Sequence, residues 1–235
     1  MTATPTKPTK ATAPKSKRSK VSRKVTSVVL PRSVITAAAQ FTSRDACKMI
    51  LQCIHIYYES KEKKTIVVSS DGHRLFRCKL PGRLVTEPLR LYHKKDLRIF
   101  SGKATRIKFD LQHRSDYYSS KDKLSHYLVP TFYLDDEGDQ TNCITIEDRH
   151  DWGDFPHTDQ LIPDRRGMGQ DNVMYNAFYL GEFCKVANKF SQFNHIKQVL
   201  SSPNTPNLFE CDVELPDPFG DTVKFELLLM PVQQR

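Results

Sequence analysis

The densest group of chemically active side chains lies in V-V-S-S-D-G-H-R-L-F-R-C (67–78), where Asp71, His73 and Arg74 surround a glycine. An acid, an imidazole and a guanidinium this close together could serve catalysis or hold a metal ion. Hydrolysis would also need a nucleophile beside a base, and the two preceding serines point to opposite faces of any strand they occupy. Because Asp-Gly is a common hairpin dipeptide, we interpret the stretch as a turn with a surface role.

A second group of polar residues lies in D-R-H-D-W-G-D-F-P (147–156), which contains His150, Asp151 and Asp154. These side chains could bind a metal, although a polar loop around Trp152 is the commoner arrangement. The sequence contains no C-x-x-C, no G-x-x-x-x-G-K-[ST] and no G-x-G-x-x-G motif, so we expect no cofactor and no metal. A metal-dependent enzyme that uses this loop remains an alternative.

The net charge of +9 is concentrated at the N-terminus. Residues 1–24 carry eight basic side chains and no acid, whereas the rest of the chain is almost neutral. The tail is rich in Thr, Pro, Ala and Lys, so we expect it to be disordered. It could contact phosphates without sequence preference, or it could be a solubilising or targeting tail.

The six cysteines are irregularly spaced, which is typical of reduced thiols in an intracellular protein. No apolar run is long enough to span a membrane, and no secretory signal is recognisable at the N-terminus. We therefore expect a cytoplasmic protein with no membrane contact.

The elements around the first motif follow a repeated order. A strand over 25–30 and a helix opened by Pro31 precede three strands, at 50–58, 65–70 and 74–80, and Asp71-Gly72 joins the last two. A similar order begins at Leu89. It has a strand over 89–92, a short helix over 94–100 and three strand-like runs over 106–111, 127–134 and 143–148. A third unit has a helix from Asn176, with a stripe of apolar residues, and then strands.

Basic residues recur on the three expected helices. If the helices share one side of a curved sheet, their exposed faces form a positive strip that suits duplex DNA. The candidate DNA-binding residues are Arg32, Arg44, Lys94, Lys95, Arg98, Lys185 and Lys189. An ordinary solvated helix face is the alternative.

Four segments, in order along the chain, together resemble the bacterial sliding clamp, the beta subunit of DNA polymerase III. S-S-D-G-H-R-L-F (69–76) is similar to the T-D-G-H-R-L-A motif of its middle domain, and G-D-F-P-H-T-D-Q-L-I-P (153–163) to its G-x-F-P-D-Y-x-x-L-I-P segment. N-A-F-Y-L-G-E-F-C-K-V (176–186) resembles the N-x-x-Y-L helix of its last domain. L-L-L-M-P-V-Q-Q-R (227–235) resembles its V-M-P-M-R-L tail.

The resemblance implies an α+β sliding-clamp fold of repeated strand-helix-three-strand units, with the helices on one side of curved antiparallel sheets. We expect a disordered tail over 1–24, a clamp domain over 25–165 and part of a second clamp domain over 166–235. The implied function is that of a processivity factor, not an enzyme. It would encircle or cradle duplex DNA as a homo-oligomer and tether a DNA polymerase, a clamp loader and other proteins with clamp-binding motifs.

The resemblance also implies a hydrophobic cleft that receives a short partner peptide. Carried over by motif, its residues are Leu51, Gly72, His73, Arg74, Leu75, Pro156, Leu161, Met230, Pro231 and Val232. An apolar floor would take hydrophobic anchors, while His73 and Arg74 would fix the peptide's orientation.

Several features depart from the clamp pattern. Only three units are recognisable, Gln160 stands where the family often has Arg, and Gln233-Gln234 replace Met-Arg in the tail. A reduced clamp, encoded by a bacterium or a phage, would explain these features. The alternative is a clamp-derived module or regulator that binds clamp-binding peptides without closing a ring.

Overall fold

The computed structural model describes residues 26–92, 104–111, 127–134, 140–148, 153–161, 173–199 and 205–232. The strands are β1 (Thr26–Pro31), β2 (Cys53–Glu59), β3 (Lys64–Ser70), β4 (Arg74–Pro81), β5 (Leu89–Tyr92), β6 (Arg106–Leu111), β7 (Tyr127–Leu134), β8 (Gln140–Asp148), β9 (Lys197–Gln198), β10 (Asn207–Glu214) and β11 (Thr222–Leu229). The helices in the described ranges are α1 (Arg32–Ala39), α2 (Ala177–Phe190) and the short 3-10 helices Met49–Gln52 and Asp159–Leu161.

The strands pair antiparallel in the order β1-β6-β7-β8-β5-β2-β3-β4-β11-β10-β9. The first strands of the first two units each pair with a strand of the other unit, and β5 also pairs with β8 of its own unit. β1 of the first unit pairs with β6 of the second, and β5 of the second pairs with β2 of the first. Because each unit then depends on a strand from the other, the two units are joined through main-chain hydrogen bonds.

Helix α1 forms where the sequence predicts it. Pro31 caps it with a φ of −61°, a value that the proline ring imposes and a helix start accepts. The apolar residues of α1 are almost all buried, because the helix packs onto the sheet. The Ser69 hydroxyl on β3 donates to the Ala38 carbonyl at 2.7 Å and fixes the end of α1 over the sheet.

Helix α2 lies on the same face of the sheet as α1. Asn176 caps it by accepting a hydrogen bond from the Phe178 N–H at 2.9 Å. Phe183 and Val186, from the stripe predicted on this helix, are fully buried in the same apolar core as α1. The Phe183 ring meets the Phe41 ring, just after the end of α1, at 6.3 Å between centroids. The two α-helices therefore share one face, as the repeated units predict.

The third unit joins the first through the pairing of β4 with β11, in which Cys78 lies opposite Phe225 and Arg74 opposite Leu229. On the face away from the helices, Arg77 of β4 forms a buried ion pair with Glu226 of β11. Main-chain pairing, aromatic packing and this ion pair together connect the two units into one continuous sheet.

Some local expectations differ from the structure or fall outside it. The strand expected over 50–58 begins only at Cys53, because Met49–Gln52 form a 3-10 turn. The basic tail 1–24, the expected helix over 94–100 and the Gln233-Gln234 pair lie outside the described residues.

Candidate functional site

The hairpin turn between β3 and β4 is built by the side chain of Asp71. Its carboxylate accepts hydrogen bonds from the main-chain N–H groups of His73 at 2.9 Å and Arg74 at 3.1 Å. Gly72 has a φ of +92°, which favours glycine, and a Cβ there would lie 3.2 Å from Lys48 Nζ. These contacts give Asp71 a structural task, as the turn interpretation predicts.

Arg74 does not lie at an exposed surface. Its residue exposure is only 7%, and its guanidinium lies over the rings of Phe41 and Tyr179, with Cζ 4.8 Å and 5.0 Å from their centroids. Arg74 Nε donates to Asp71 at 3.0 Å, and longer contacts reach the carbonyls of Gln40 and Tyr179. Arg74 therefore ties the hairpin turn to the end of α1 and the start of α2. Because its guanidinium is buried, it cannot orient a partner peptide by direct contact, as the resemblance implied.

His73, in contrast, is exposed and lies at the junction of the first and third units. Its ring stacks on that of Tyr179 at 5.8 Å between centroids, with an angle of 14° between the planes. Its carbonyl accepts from the Met230 N–H at 3.4 Å, just beyond the end of β11. The D-G-H-R-L turn and the M-P segment are thus adjacent in space, although they are far apart in sequence.

The face of the sheet opposite the helices carries a separate apolar group, called here the outer cluster. Its buried members are Val68, Leu75, Phe155, Leu208 and Leu228, and Ile50, Leu51, Tyr57 and Val199 pack against them half-buried. Leu75 alternates with Arg74 along β4, so the two side chains point to opposite faces. The outer cluster joins the turn, the Phe-Pro segment and the last strand.

The Phe155-Pro156 segment is held against this cluster by two contacts. The Phe155 ring stacks on His55 of β2 at 5.1 Å, and Arg90 of β5 forms an ion pair with Asp154 at 2.6 Å. Phe155 is buried, whereas Pro156 is exposed beside it. The contacts therefore hold Phe155 in the interior and leave Pro156 at the surface.

Several apolar side chains in the Met-Pro and Phe-Pro segments are exposed to solvent. Met230 is 48% exposed, Val232 46% and Leu161 49%, while Pro231 is half-buried. The Val232 N–H donates to the Met174 carbonyl at 2.9 Å, which fixes the chain after β11 against the segment that leads into α2. Exposed apolar groups beside a buried apolar floor are typical of a peptide-binding surface.

The DNA-binding candidates have different settings. Lys185 and Lys189 are exposed on α2, where Lys185 pairs with Glu182 at 2.7 Å. Arg32 is half-buried at the start of α1 and donates to the Ala104 carbonyl at 2.7 Å, and Arg44 is exposed in the loop after α1. The remaining candidates, Lys94, Lys95 and Arg98, lie outside the described residues.

The described part of the chain contains no group of three or more His, Cys, Asp or Glu side chains that could hold a metal ion. Asp154 faces Arg90, while His150 and Asp151 lie outside the described residues. Burial raises the pKa of the Cys211 thiol to about 12 and also raises the pKa of Cys78, so both thiols stay protonated at neutral pH. None of the helices in the described ranges is long and apolar enough to cross a membrane.

No protein-family model and no curated protein matches the sequence. Solved structures do match the fold. The beta sliding clamp of C. crescentus superposes with a TM-score of 0.56 at 13% identity, over 92% of this chain and 67% of that one. This chain has the sliding-clamp fold. The Helicobacter pylori beta clamp aligns at 12% identity over 91% of this chain and 68% of that one, with a TM-score of 0.49.

The clamp fold confirms the α+β class and the repeated units expected from the sequence. The chain covers 67% of the length of the C. crescentus clamp. Sequence patterns did not identify Tyr179 or Met174 as neighbours of the turn. The N-x-x-Y-L resemblance marked the helix that carries Tyr179, but only the pairing of β4 with β11 brings that helix to His73.

Proposed function

We propose that this protein is a sliding-clamp-like processivity factor that tethers a DNA polymerase, a clamp loader and other proteins with clamp-binding motifs to duplex DNA. Because α1 and α2 lie on one face of the sheet, exposed cations on that face, such as Lys185 and Lys189, would contact the DNA phosphates. The proposal places the protein in the cytoplasm of a bacterial or phage-infected cell, acting as a homo-oligomer without catalytic activity.

One observation carries the proposal. The D-G-H-R-L turn lies beside the Met-Pro segment, and Leu75 of the turn, Phe155 of the Phe-Pro segment and Leu228 near the end of β11 pack together in the outer cluster. A partner peptide that binds beside the outer cluster would not compete with DNA on the helix face, so the protein could bind both at once. The solved C. crescentus clamp contains a polyethylene glycol bound at a region ascribed to beta-motif tethering, which supports a cleft of this kind.

We assign the cleft surface to Gly72, His73, Pro156, Met230 and Val232, all of which are exposed. Leu51, Leu75 and Pro231 supply the more buried apolar floor, and Leu161 extends the rim. Arg74 is buried beneath this surface, where its guanidinium holds the turn and Tyr179 in place. His73 offers the peptide a polar edge, since its ring is exposed and already oriented by stacking.

The cleft is tested with a labelled peptide taken from the clamp-binding segment of a bacterial replicative polymerase. Met230 loses its remaining exposure on binding, which contributes about 1 kcal/mol, so Met230→Ala combined with Pro231→Ala should weaken binding about 5- to 10-fold. The matched control is Phe193→Ala, because Phe193 is also an exposed apolar residue and lies beyond the other end of α2. Unchanged affinity in the double variant, or an equal loss in the control, would show that the peptide binds elsewhere.

A clamp-derived module that binds such peptides without closing a ring is the second candidate function. The setting of α1 favours it, because the described helix carries a single cation, Arg32, and its other residues are mostly buried. Such a module would retain the peptide affinity but would bind linear and circular DNA equally.

A further inference from the structure

The third unit lacks the counterpart that completes each of the first two units. β1 of the first unit pairs with β6 of the second, and β5 of the second pairs with β2 of the first, so these units complete each other. In the described part of the chain, the third unit pairs only with the first, through β11 and β4, and β9 ends the order of strands. The third unit is therefore half of a pair.

The two α-helices differ accordingly in how far they are covered. Helix α1 contacts strands of its own unit and also β6 of the second unit, and five of its eight residues are buried. Helix α2 contacts β10 and β11 of its own unit, and only three of its fourteen residues are buried. Among the described strands, none from another unit packs on α2 as closely as β6 packs on α1.

The contacts of α2 show which of its flanks faces the first unit. The Phe183 ring meets Phe41 at the end of α1, and the Tyr179 ring stacks on His73 of the hairpin turn. One turn before its end, α2 places Lys189 in a groove shared with the first turn of α1. The flank of α2 on the opposite side of the helix therefore points away from the first unit, because side-chain direction follows the helical repeat.

This opposite flank is built from small and mostly apolar residues. Helical spacing places Ala177, Gly181, Cys184 and Asn188 on it, with Leu180 at its edge beside the sheet. Leu180 is half-buried, whereas Cys184 is exposed. A Cβ added to Gly181 would meet no described atom within 4 Å. A flank of this kind permits a second helix to approach closely, since helix separation depends on the side chains at the contact.

The first two units indicate what would cover this flank. They show that a unit of this kind is completed by another unit, and they already complete each other. Of the units recognisable in the sequence, only the third unit of a second chain is left to supply the counterpart. Two identical units can complete each other in an isologous contact about a two-fold axis. The reciprocal pairing of the first two units has the same form.

We propose that two copies of this chain associate through their third units, with the Leu180–Cys184 flank of α2 packed against the same flank of the second copy. The pair forms one further clamp-like domain, to which each chain contributes half. Because the contact uses each third unit once, any assembly built on it contains an even number of chains. The contact follows from the fold, and it would form in a peptide-binding module as well as in a closed clamp.

Light scattering of the full chain over a range of concentrations tests the contact. The wild type should have the mass of two chains, or of a larger even number. Cys184 is exposed, so Cys184→Lys should fold normally, but it places a cation from each copy in the contact. Association through the third units should therefore weaken about 100-fold or more. The matched control is Cys47→Lys, because Cys47 is also exposed but precedes β2 in the first unit, and it should keep the wild-type mass.

Cross-linking with a short bismaleimide separates this contact from other modes of association, since the two Cys184 thiols would lie near the two-fold axis. Cys47→Ser should give a cross-linked dimer, and Cys184→Ser should not. A wild type that is monomeric at every concentration or contains an odd number of chains overturns the proposal. An unchanged mass in Cys184→Lys, or equal cross-linking in Cys184→Ser and Cys47→Ser, also overturns it.

The peptide affinity of Cys184→Lys distinguishes a failure of this contact from a failure of the proposed function. The residues of the cleft all belong to one chain, so the variant should bind the clamp-binding peptide as tightly as the wild type. Loss of peptide binding together with the dimer would show that Cys184→Lys disturbs the third unit itself, and the contact would lose its support. A wild type that forms the dimer but binds no peptide would refute the cleft and leave the contact intact.

Discussion

Arg74 offers the sharpest test of how the candidate cleft is held together. Its guanidinium is buried between the Phe41 and Tyr179 rings and is paired with Asp71. Arg74→Ala would remove the cation from a pair whose side chains are only 6% and 16% exposed. The hairpin turn, the end of α1 and the start of α2 would each lose a contact.

The expected cost follows from these contacts. Breaking a buried ion pair costs about 3–5 kcal/mol, and loss of the two ring contacts adds to this cost. Asp71 keeps two main-chain donors after the substitution, which reduces the penalty for the carboxylate that remains. We therefore expect Arg74→Ala to lower the free energy of unfolding by about 3–4 kcal/mol, or the Tm by roughly 6–16 °C. Arg74→Lys keeps the charge but loses the planar stacking, so about 1–2 kcal/mol is expected.

Urea unfolding of the full chain measures these effects, and Arg83→Ala is the matched control. Arg83 is exposed, its guanidinium lies over one ring, Tyr58, at 5.2 Å, and it donates to the Thr86 carbonyl. Its removal should cost less than about 1 kcal/mol. If Arg74→Ala lowers the free energy of unfolding no more than Arg83→Ala does, Arg74 does not tie the turn to the helices. The role at the cleft surface that the resemblance implied would then be the better interpretation.

Two further predictions concern DNA binding and alkaline pH. Lys185→Gln combined with Lys189→Gln should reduce duplex affinity and lower the slope of log K against log salt by up to about 1.8, measured by anisotropy; an unchanged slope would remove α2 from the DNA interface. The raised folded-state pKa values of Cys78 and Cys211 contribute stability that is present below the unfolded value of about 9 and is lost as pH rises towards the folded values. At pH 10 the free energy of unfolding should be lower than at pH 8 by about 1.4 kcal/mol for each thiol. Cys211→Ala should remove about half of the combined loss measured by urea unfolding. An equal loss in the variant would show that other groups cause it.

Much of the fold could be predicted from local sequence patterns. β5 and β6 have the predicted bounds, and α2 follows its apolar stripe closely, because alternation and helical spacing directly report which face is buried. The 3-10 turn at Met49–Gln52 was missed, since a short apolar run looks the same in a strand and in a turn. The pairing of β1 with β6 and of β5 with β2 was also missed, because strand partners distant in sequence leave no local pattern.

The candidate site was only partly predictable for the same reason. The resemblance named the turn and the Met-Pro segment, and the pairing of β4 with β11 places them side by side. No sequence pattern indicated that Arg74 faces the helices, because alternation along β4 does not by itself show which of the two faces packs against them.

Retention on DNA circles tests the central proposal most directly. The full chain is incubated with nicked circular duplex DNA, washed at high salt to remove electrostatic contacts of residues 1–24, and separated by gel filtration before and after the circle is linearised. Light scattering on the same sample gives the native mass. A closed clamp predicts an oligomer that stays on the circle and leaves after linearisation. A monomer that dissociates equally from circular and linear DNA would contradict a closed ring and favour the peptide-binding module.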